Sequence, residues 1–354
     1  MKKTKEKSIS LADTICDLRQ RKIKCQFLKQ VDTIIDWRPI KKIINNYDKR
    51  MKSPTGNSAY EGLLLVKMSL LQTWYGLSDY EVEEQINDRI SFSSFCGLPL
   101  EGTVPDHSTL SRFRTEMTKM NVYNKLFKNI NKQLEKQNII IKTGALLDAS
   151  IVETPLKPKG KSTYDTNQHQ EKKPEKPPQK ATLTKKVKKS VDTEGAWVKK
   201  GRQFYYGYKK HVVTEENGLI LGVKTTAANV NEVSNLSKVL DQADLPKNIP
   251  LKADKGYQSK NNGAILQQRN LKNHIMKKAT RAKQLSSWEK KFNKAISQVR
   301  YKIERTFGSI KRWFNGGYAR YRGIAKMHTQ NLLESMCYNL YRSPGIIVSN
   351  SVKR

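Results

Sequence analysis

Three carboxylates, far apart in the chain, carry the chemical potential of this sequence. Asp148 lies in Gly144-Ala-Leu-Leu-Asp148-Ala-Ser-Ile-Val152, a short apolar run that reads as a buried strand, where an acid is out of place. Asp254 closes a second run, Ile249-Pro-Leu-Lys-Ala-Asp254, just ahead of a Lys-Gly turn. Glu304 belongs to a helical pattern, and at about 100° per residue Arg300, Glu304 and Lys311 fall within roughly 40° of one another. One carboxylate thus stands between two cations on one helical face. Taken singly, each has a plainer reading: either aspartate as a cap or turn residue, and Arg300 with Glu304 as an i, i+4 surface pair. Taken together, the order strand-Asp, strand-Asp, helix-Glu is one that holds divalent metal ions for phosphodiester chemistry. Hard oxygen ligands suit Mg²⁺ or Mn²⁺ rather than zinc.

The elements that must position these acids follow from periodicity. Strands are expected at Ala145 to Asp148, Phe204 to Val213 and Leu219 to Thr226, then a helix at Asn231 to Gln242 and a strand ending at Asp254. A helix after Ser259 and a strand at Asn273 to Met276 complete the alternation. A long helix starts at Ser286 or Ser287, where Ser286 and Glu289 fit a capping box, and stops before Gly316-Gly317. Its apolar stripe, Phe292, Ile296, Val299, Ile303, Phe307, Ile310 and Phe314, adjoins the charged face, so the acid is placed at the edge of a core. Antiparallel strands first, then a right-handed crossover and a closing helix, is the ribonuclease-H-like order.

The first 140 residues read as helical, with candidates at Gln26 to Ile35, Pro39 to Tyr47, Tyr60 to Trp74, Ser78 to Asn87 and Thr109 to Met117. Asp106 or Ser108 is expected to cap the last of these, which leaves His107 without a catalytic reading. The expected organisation is an all-helical N-terminal domain over 1–140, an α/β catalytic domain over 141–343 and a tail over 344–354. A basic, proline-bearing insertion at about 155–203, with 14 Lys/Arg to five acids, reads as a flexible loop.

Several strings together resemble bacterial DDE transposases of the insertion-sequence-five type. They are Leu71-Gln-Thr-Trp-Tyr-Gly-Leu-Ser-Asp79, Phe92-Ser-Ser-Phe-Cys-Gly97, Pro105-Asp-His-Ser-Thr-Leu-Ser-Arg-Phe-Arg114, Leu147-Asp148-Ala149, Tyr206-Gly-Tyr-Lys-Lys-His211, Ala253-Asp254-Lys-Gly-Tyr257 and the Arg300/Glu304/Lys311 spacing. The resemblance runs from about Phe27 to Tyr341 and implies the ribonuclease-H-like fold. It implies cleavage at transposon ends and transfer of the resulting 3′-OH into target DNA. It makes Asp148, Asp254 and Glu304 the catalytic ligands of two Mg²⁺ ions, with Mn²⁺ as a substitute. Arg300, Lys311, Lys255, Tyr257, Lys209 and His211 become candidate DNA contacts. The implied partners are terminal inverted repeats, target DNA and a second copy of the chain in a dimeric synaptic complex. One departure is visible: the related glutamate signature often has a tyrosine three residues before the arginine, and Ser297 stands here. The alternatives are a domesticated DNA-binding protein and a nuclease of the same fold without strand transfer.

Composition agrees with a polyanionic partner. Lys and Arg number 67 against 32 acids, a formal charge of +35. From Lys277 to Lys326 there are 15 Lys/Arg and two acids, Glu289 and Glu304, so the candidate ligand sits deep in a basic field. Trp313, Phe314, Tyr318 and Tyr321 interleave there as candidates for stacking on unpaired bases or for core packing. Cys16, Cys25, Cys96 and Cys337 have no paired spacing, which argues against a zinc site or disulfide framework. With no signal core and no membrane-length apolar run, the expected location is the bacterial cytoplasm, near the nucleoid.

Overall fold

The computed structural model describes residues 27–48, 59–99, 101–159, 164–166, 185–187, 190–280 and 284–352. Cys16, Cys25, Gln26 and about half of the basic insertion lie outside them. Among the described residues seven helices come first: α1 (Phe27–Ile34), α2 (Trp37–Tyr47), α3 (Gly62–Tyr75), α4 (Asp79–Asp88), α5 (Ile90–Cys96), α6 (His107–Lys119) and α7 (Val122–Lys136). Helix α3 is buried on nearly every face, as its unbroken Leu-Leu-Leu-Val and Met-Ser-Leu-Leu runs require. Ser78 and Glu81 form a capping box on α4, and the Asp106 side chain accepts from Thr109 N at 2.6 Å, the cap expected there. Helices α5 and α7 are absent from the sequence reading. The second is amphipathic and buries Tyr123, Leu126, Phe127, Ile130 and Leu134.

The second half is built on a six-stranded sheet of β1 (Ala145–Glu153), β4 (Ala196–Lys200), β5 (Gln203–Glu215), β6 (Ile220–Ala227), β7 (Pro250–Ala253) and β8 (Lys272–Ile275). Strands β2 (Tyr164–Thr166) and β3 (Lys185–Val187) form a separate antiparallel pair within the basic insertion. Strand β5 lies antiparallel to β1, β4 and β6, while β7 is parallel to β1 and β8 to β7. The order β6-β5-β1-β7-β8, with a crossover between β6 and β7, is the expected ribonuclease-H-like one. Helix α8 (Leu236–Leu240) lies on the crossover, α9 (Lys260–Gln268) follows β7, and α10 (Ser287–Phe314) crosses β1 and β7. Ser286 and Glu289 cap α10 reciprocally, and Asn315 ends it at φ 54°.

Further elements, in the second half, depart from the sequence reading. Strand β1 runs five residues beyond Asp148, because β5 pairs with it along its whole length. The helix expected over 231–242 is a 3₁₀ turn (Val233–Asn235) followed by the five-residue α8. There Asn231 accepts from Val233 N, Ser234 Oγ and Asn235 Nδ2, local bonds that compete with helix initiation. Strands β2, β3 and β4 all lie inside the stretch expected to be a loop. The expected tail belongs to α11 (Ile324–Val352), which carries Pro344 within it.

Helix α11 unites the two halves. Its apolar residues share one hydrophobic cluster with the N-terminal helices and the sheet. Trp74 Nε1 donates to Cys337 O at 3.0 Å, and Asn339 Oδ1 accepts from Ile220 N at 2.8 Å. Beneath them Lys210 Nζ and Glu334 Oε2 pair at 2.6 Å, both fully buried. Truncating one partner strands the other's charge in the core, at a cost of about 3–5 kcal/mol, whereas removing both costs much less. Glu334→Leu alone is therefore expected to lower the melting temperature sharply, and Lys210→Met with Glu334→Leu to recover most of the loss. A double variant no better than the single one would show that the pair holds α11 by packing instead of charge.

Candidate active site

Asp148 and Asp254 come together because their strands are neighbours in register. Leu147 pairs with Ala253, so the next residue on each parallel strand is an aspartate. Strand β7 ends there, which frees Asp254 to turn into the short 3₁₀ segment Lys255–Tyr257. Helix α10, anchored by buried Ile296, Ile303, Phe307 and Ile310, brings Arg300 and Glu304 over the same point. Arg300 Nη2 lies 3.0 Å from Asp148 Oδ2 and 3.8 Å from Glu304 Oε1, and its Nη1 lies 3.1 Å from Asp254 Oδ1. One guanidinium gathers all three candidate acids. The plain surface-pair reading of Arg300 and Glu304 does not survive this geometry.

The acids are graded from floor to mouth, with side-chain exposures of 16% for Asp148, 32% for Asp254 and 60% for Glu304. Burial raises the Asp148 pKa above the usual carboxylate range, aided by the charge of Glu232 and opposed by Arg300 and the Ala149 amide. Burial also pulls on Arg300, but the carboxylates of Asp148, Asp254 and Glu304 outweigh it and hold the guanidinium above its ordinary value.

Glu232 is a fourth carboxylate here that the sequence reading misses. Lys209 Nζ lies 3.4 Å from its Oε1 and donates to Val230 O at 3.0 Å, pinning the loop after β6. A Cβ at position 256 would come within 3.2 Å of Glu232 Oε2, so the glycine of the Asp254-Lys255-Gly256 turn admits this close approach. The available signal was an acid just past a strand that the sheet order folds back beside Asp148.

Three of the candidate DNA contacts are buried. Tyr257 and His211 are fully enclosed, with His211 Nε2 3.1 Å from Thr226 Oγ1 and its Nδ1 3.5 Å from the Tyr257 hydroxyl. Lys209 is buried and committed to Glu232 and Val230. In this arrangement none of the three presents its polar atoms to a DNA backbone. Lys255 and Lys311 are exposed. Lys311 stands seven residues along α10 from Glu304, about 10 Å of helix. Although its side chain reaches solvent, partial desolvation of its amine, then the charges of Lys200 and Lys210, push its pKa down. Of the aromatic candidates Phe314 is core, Tyr321 lies under the Arg114 guanidinium, and Trp313 and Tyr318 are exposed.

Among the described residues no group of three His, Cys, Asp or Glu side chains is placed to hold a metal ion, and Arg300 stands among the candidate acids. The donor chemistry nevertheless fits a hard divalent cation: three carboxylates already converge on one positive group. That group is incompletely bound, because the buried Arg300 Nε has no hydrogen-bond partner.

Residues 141–340, more than half of the chain, match the family model described as "Transposase DDE domain". Residues 16–116 match the one described as "Transposase domain (DUF772)". A structural likeness to "Crystal structure of the Mos1 Strand Transfer Complex" covers 87% of this chain and 84% of that one at 12% identity. Its TM-score of 0.18 is too low to carry an argument.

Burial pushes His211 and His328 down to about 4. Their folded values lie below the unfolded value of about 6.5, so the unfolded chain binds more protons in between. Both therefore favour folding fully above about pH 6.5 and lose that contribution as pH falls towards 4. Chemical denaturation at several pH values should show this slope, and His211→Gln should flatten it. An unchanged slope would mean that His211 is solvated.

Proposed function

The chain belongs to the DDE transposase family, enzymes of DNA cleavage and strand transfer, and from that premise we propose that Asp148, Asp254 and Glu304 are its catalytic acids. The observation that carries this reading is their convergence on Arg300 at the ends of two parallel strands and on the crossing helix. Members of this family work with divalent metal ions, and the all-carboxylate set favours Mg²⁺, with Mn²⁺ as a substitute. When bound, a pair of such ions supplies Lewis-acid stabilisation of the phosphate and activation of the attacking oxygen.

The protein's own part is positional and electrostatic. Asp148 on the floor, with Asp254 and Glu304 nearer the mouth, would hold the ions through their carboxylate oxygens. Arg300 balances the charge of the three acids, and its guanidinium would present a cation to the scissile phosphate beside them. Lys255, exposed beside Asp254, and Lys311, farther along α10, hold the DNA backbone on either side. Glu232, fixed by Lys209, positions the Asp254 turn through its approach to Gly256.

The insertion-sequence-five type is the finer assignment supported by the strings quoted above. On that assignment the substrates are the element's terminal inverted repeats and target DNA, and the working unit is a dimer. The helices before residue 140 recognise the ends, and the basic insertion contributes non-specific affinity.

Asp148→Asn, Asp254→Asn and Glu304→Gln are each expected to abolish metal-dependent cleavage of end DNA while leaving DNA affinity within a fewfold of wild type. Cleavage at the wild-type rate by any one of them removes that residue from the site.

Arg300→Met is expected to lower the melting temperature in metal-free buffer and to enlarge the stabilisation that Mg²⁺ or Mn²⁺ confers. It should also slow single-turnover cleavage at saturating DNA about a hundredfold, the scale of a lost transition-state stabiliser. Lys311→Ala should slow cleavage with little change in the melt. Unchanged cleavage in both variants would leave Glu304 as the only functional side chain on this face of α10.

A further inference from the structure

Strand β4 and the first residues of β5 form a two-stranded ribbon that leaves the sheet. Strand β1 pairs with β5 only from Gly207 onward, so residues 203–206 have β4 as their sole strand partner. Gly207 marks the departure point: a Cβ there would collide with the Val152 carbonyl, and its φ of 153° is one L side chains rarely adopt. At the far end Lys200 pairs with Gln203 across the turn Gly201-Arg202, and Gly201 has φ 62° at the position a type II′ turn reserves for glycine.

The ribbon should be marginal in water, and the Trp197–Tyr206 ring contact at 5.1 Å and the Tyr206 hydroxyl bond to Asp192 O brace its base. Its composition is unlike a structural hairpin. The cross-strand pairs Trp197 with Tyr206 and Lys199 with Phe204 put all four side chains on one face. On it Trp197 is 45% and Phe204 64% exposed, with Lys199 Nζ 5.5 Å from the Phe204 ring centre. Lys199, Lys200 and Arg202 surround the tip, and no acid occurs from Gly195 to Thr214. An apolar ring at the end of an acid-free basic ribbon matches DNA, which offers phosphates to the cations and a base step to the ring.

We propose that this ribbon is a DNA-bending arm, in which Phe204 wedges into a base step of the bound duplex while Lys199, Lys200 and Arg202 hold the flanking phosphates. The inference rests on the reading of the chain as a DNA-cleaving transposase. Position supports it. Phe204 lies eight residues up β5 from Val212, the partner of Asp148, which is about 26 Å at strand spacing. That reach corresponds to roughly seven or eight base pairs, so the wedge acts on the DNA beside the cut and not on the terminal pair. Insertion unstacks the step and kinks the duplex, most easily at pyrimidine–purine steps.

The test uses the full chain and an end-containing duplex of about 40 base pairs, with dyes at its termini and 2-aminopurine scanned through positions on both sides of the cut. The wild type is expected to shorten the dye separation and to brighten 2-aminopurine at one step seven or eight base pairs from the cut. Phe204→Ala should lose both signals and weaken binding about tenfold, the scale of a lost ring–base contact. Phe204→Leu, which keeps an apolar wedge, should retain the bend. Because Phe204 is exposed, its alanine variant should melt like wild type. If Phe204→Ala bends DNA and perturbs 2-aminopurine as wild type does, the arm is excluded while the catalytic reading stands. If the variant changes only self-association in sedimentation, the face joins two copies of the chain and the proposal falls. If the wild type binds no DNA, both readings fail together.

Discussion

The Arg300 guanidinium, shared among Asp148, Asp254 and Glu304, is the interaction on which the rest of this architecture turns. Two like charges about 5 Å apart repel by roughly 3 kcal/mol at an effective dielectric near 20. Carboxylates brought together at the end of a buried sheet therefore need a cation. Arginine suits the place, because its fork satisfies two acids from different strands at once and it stays charged under burial. The fold can thus assemble the acids before any ion arrives and keep them in register for one. The orphaned Nε fits a cation that holds the acids without being tightly fixed itself.

Everything around that cluster reads as a means of fixing it. The parallel pairing of β1 with β7 sets Asp148 and Asp254 side by side, and the apolar stripe of α10 sets the height and rotation of Arg300 and Glu304. Lys209 does the same for the loop that carries Glu232. Behind the sheet, α11 ties the helical half to the catalytic half through the buried Lys210–Glu334 pair and the Asn339 bonds. The N-terminal helices and the acids therefore keep a defined relative orientation, because both halves share one core.

How much of this was legible in the sequence varied with the kind of signal. Capping boxes and apolar stripes are local, so Ser286 with Glu289 and the limits of α10 could be placed closely. Composition misled where geometry overrode it. The composition of the lysine-rich 196–200 segment predicts a loop, yet it is β4, because its partner β5 supplies the hydrogen bonds and Trp197 packs on Tyr206. Lys209, His211 and Tyr257 looked like DNA contacts because they flank the site in sequence. The strand face and the 3₁₀ turn that bear them point inward.

The sequence by itself determined that three acids, two of them ending or interrupting strands and one on a long amphipathic helix, belong to a basic chain of ribonuclease-H-like order. Those facts reside in periodicity, capping and charge, which act over a few residues. Only the tertiary structure decided that Arg300 stands among the acids, that Glu232 joins them and that Lys209 is spent on holding it. It also decided that β4 and β5 rise from the sheet as an exposed ribbon. Each of these depends on which strands become neighbours and in what register. That is settled by burial and hydrogen bonding between segments tens to more than a hundred residues apart, so no local pattern can encode it.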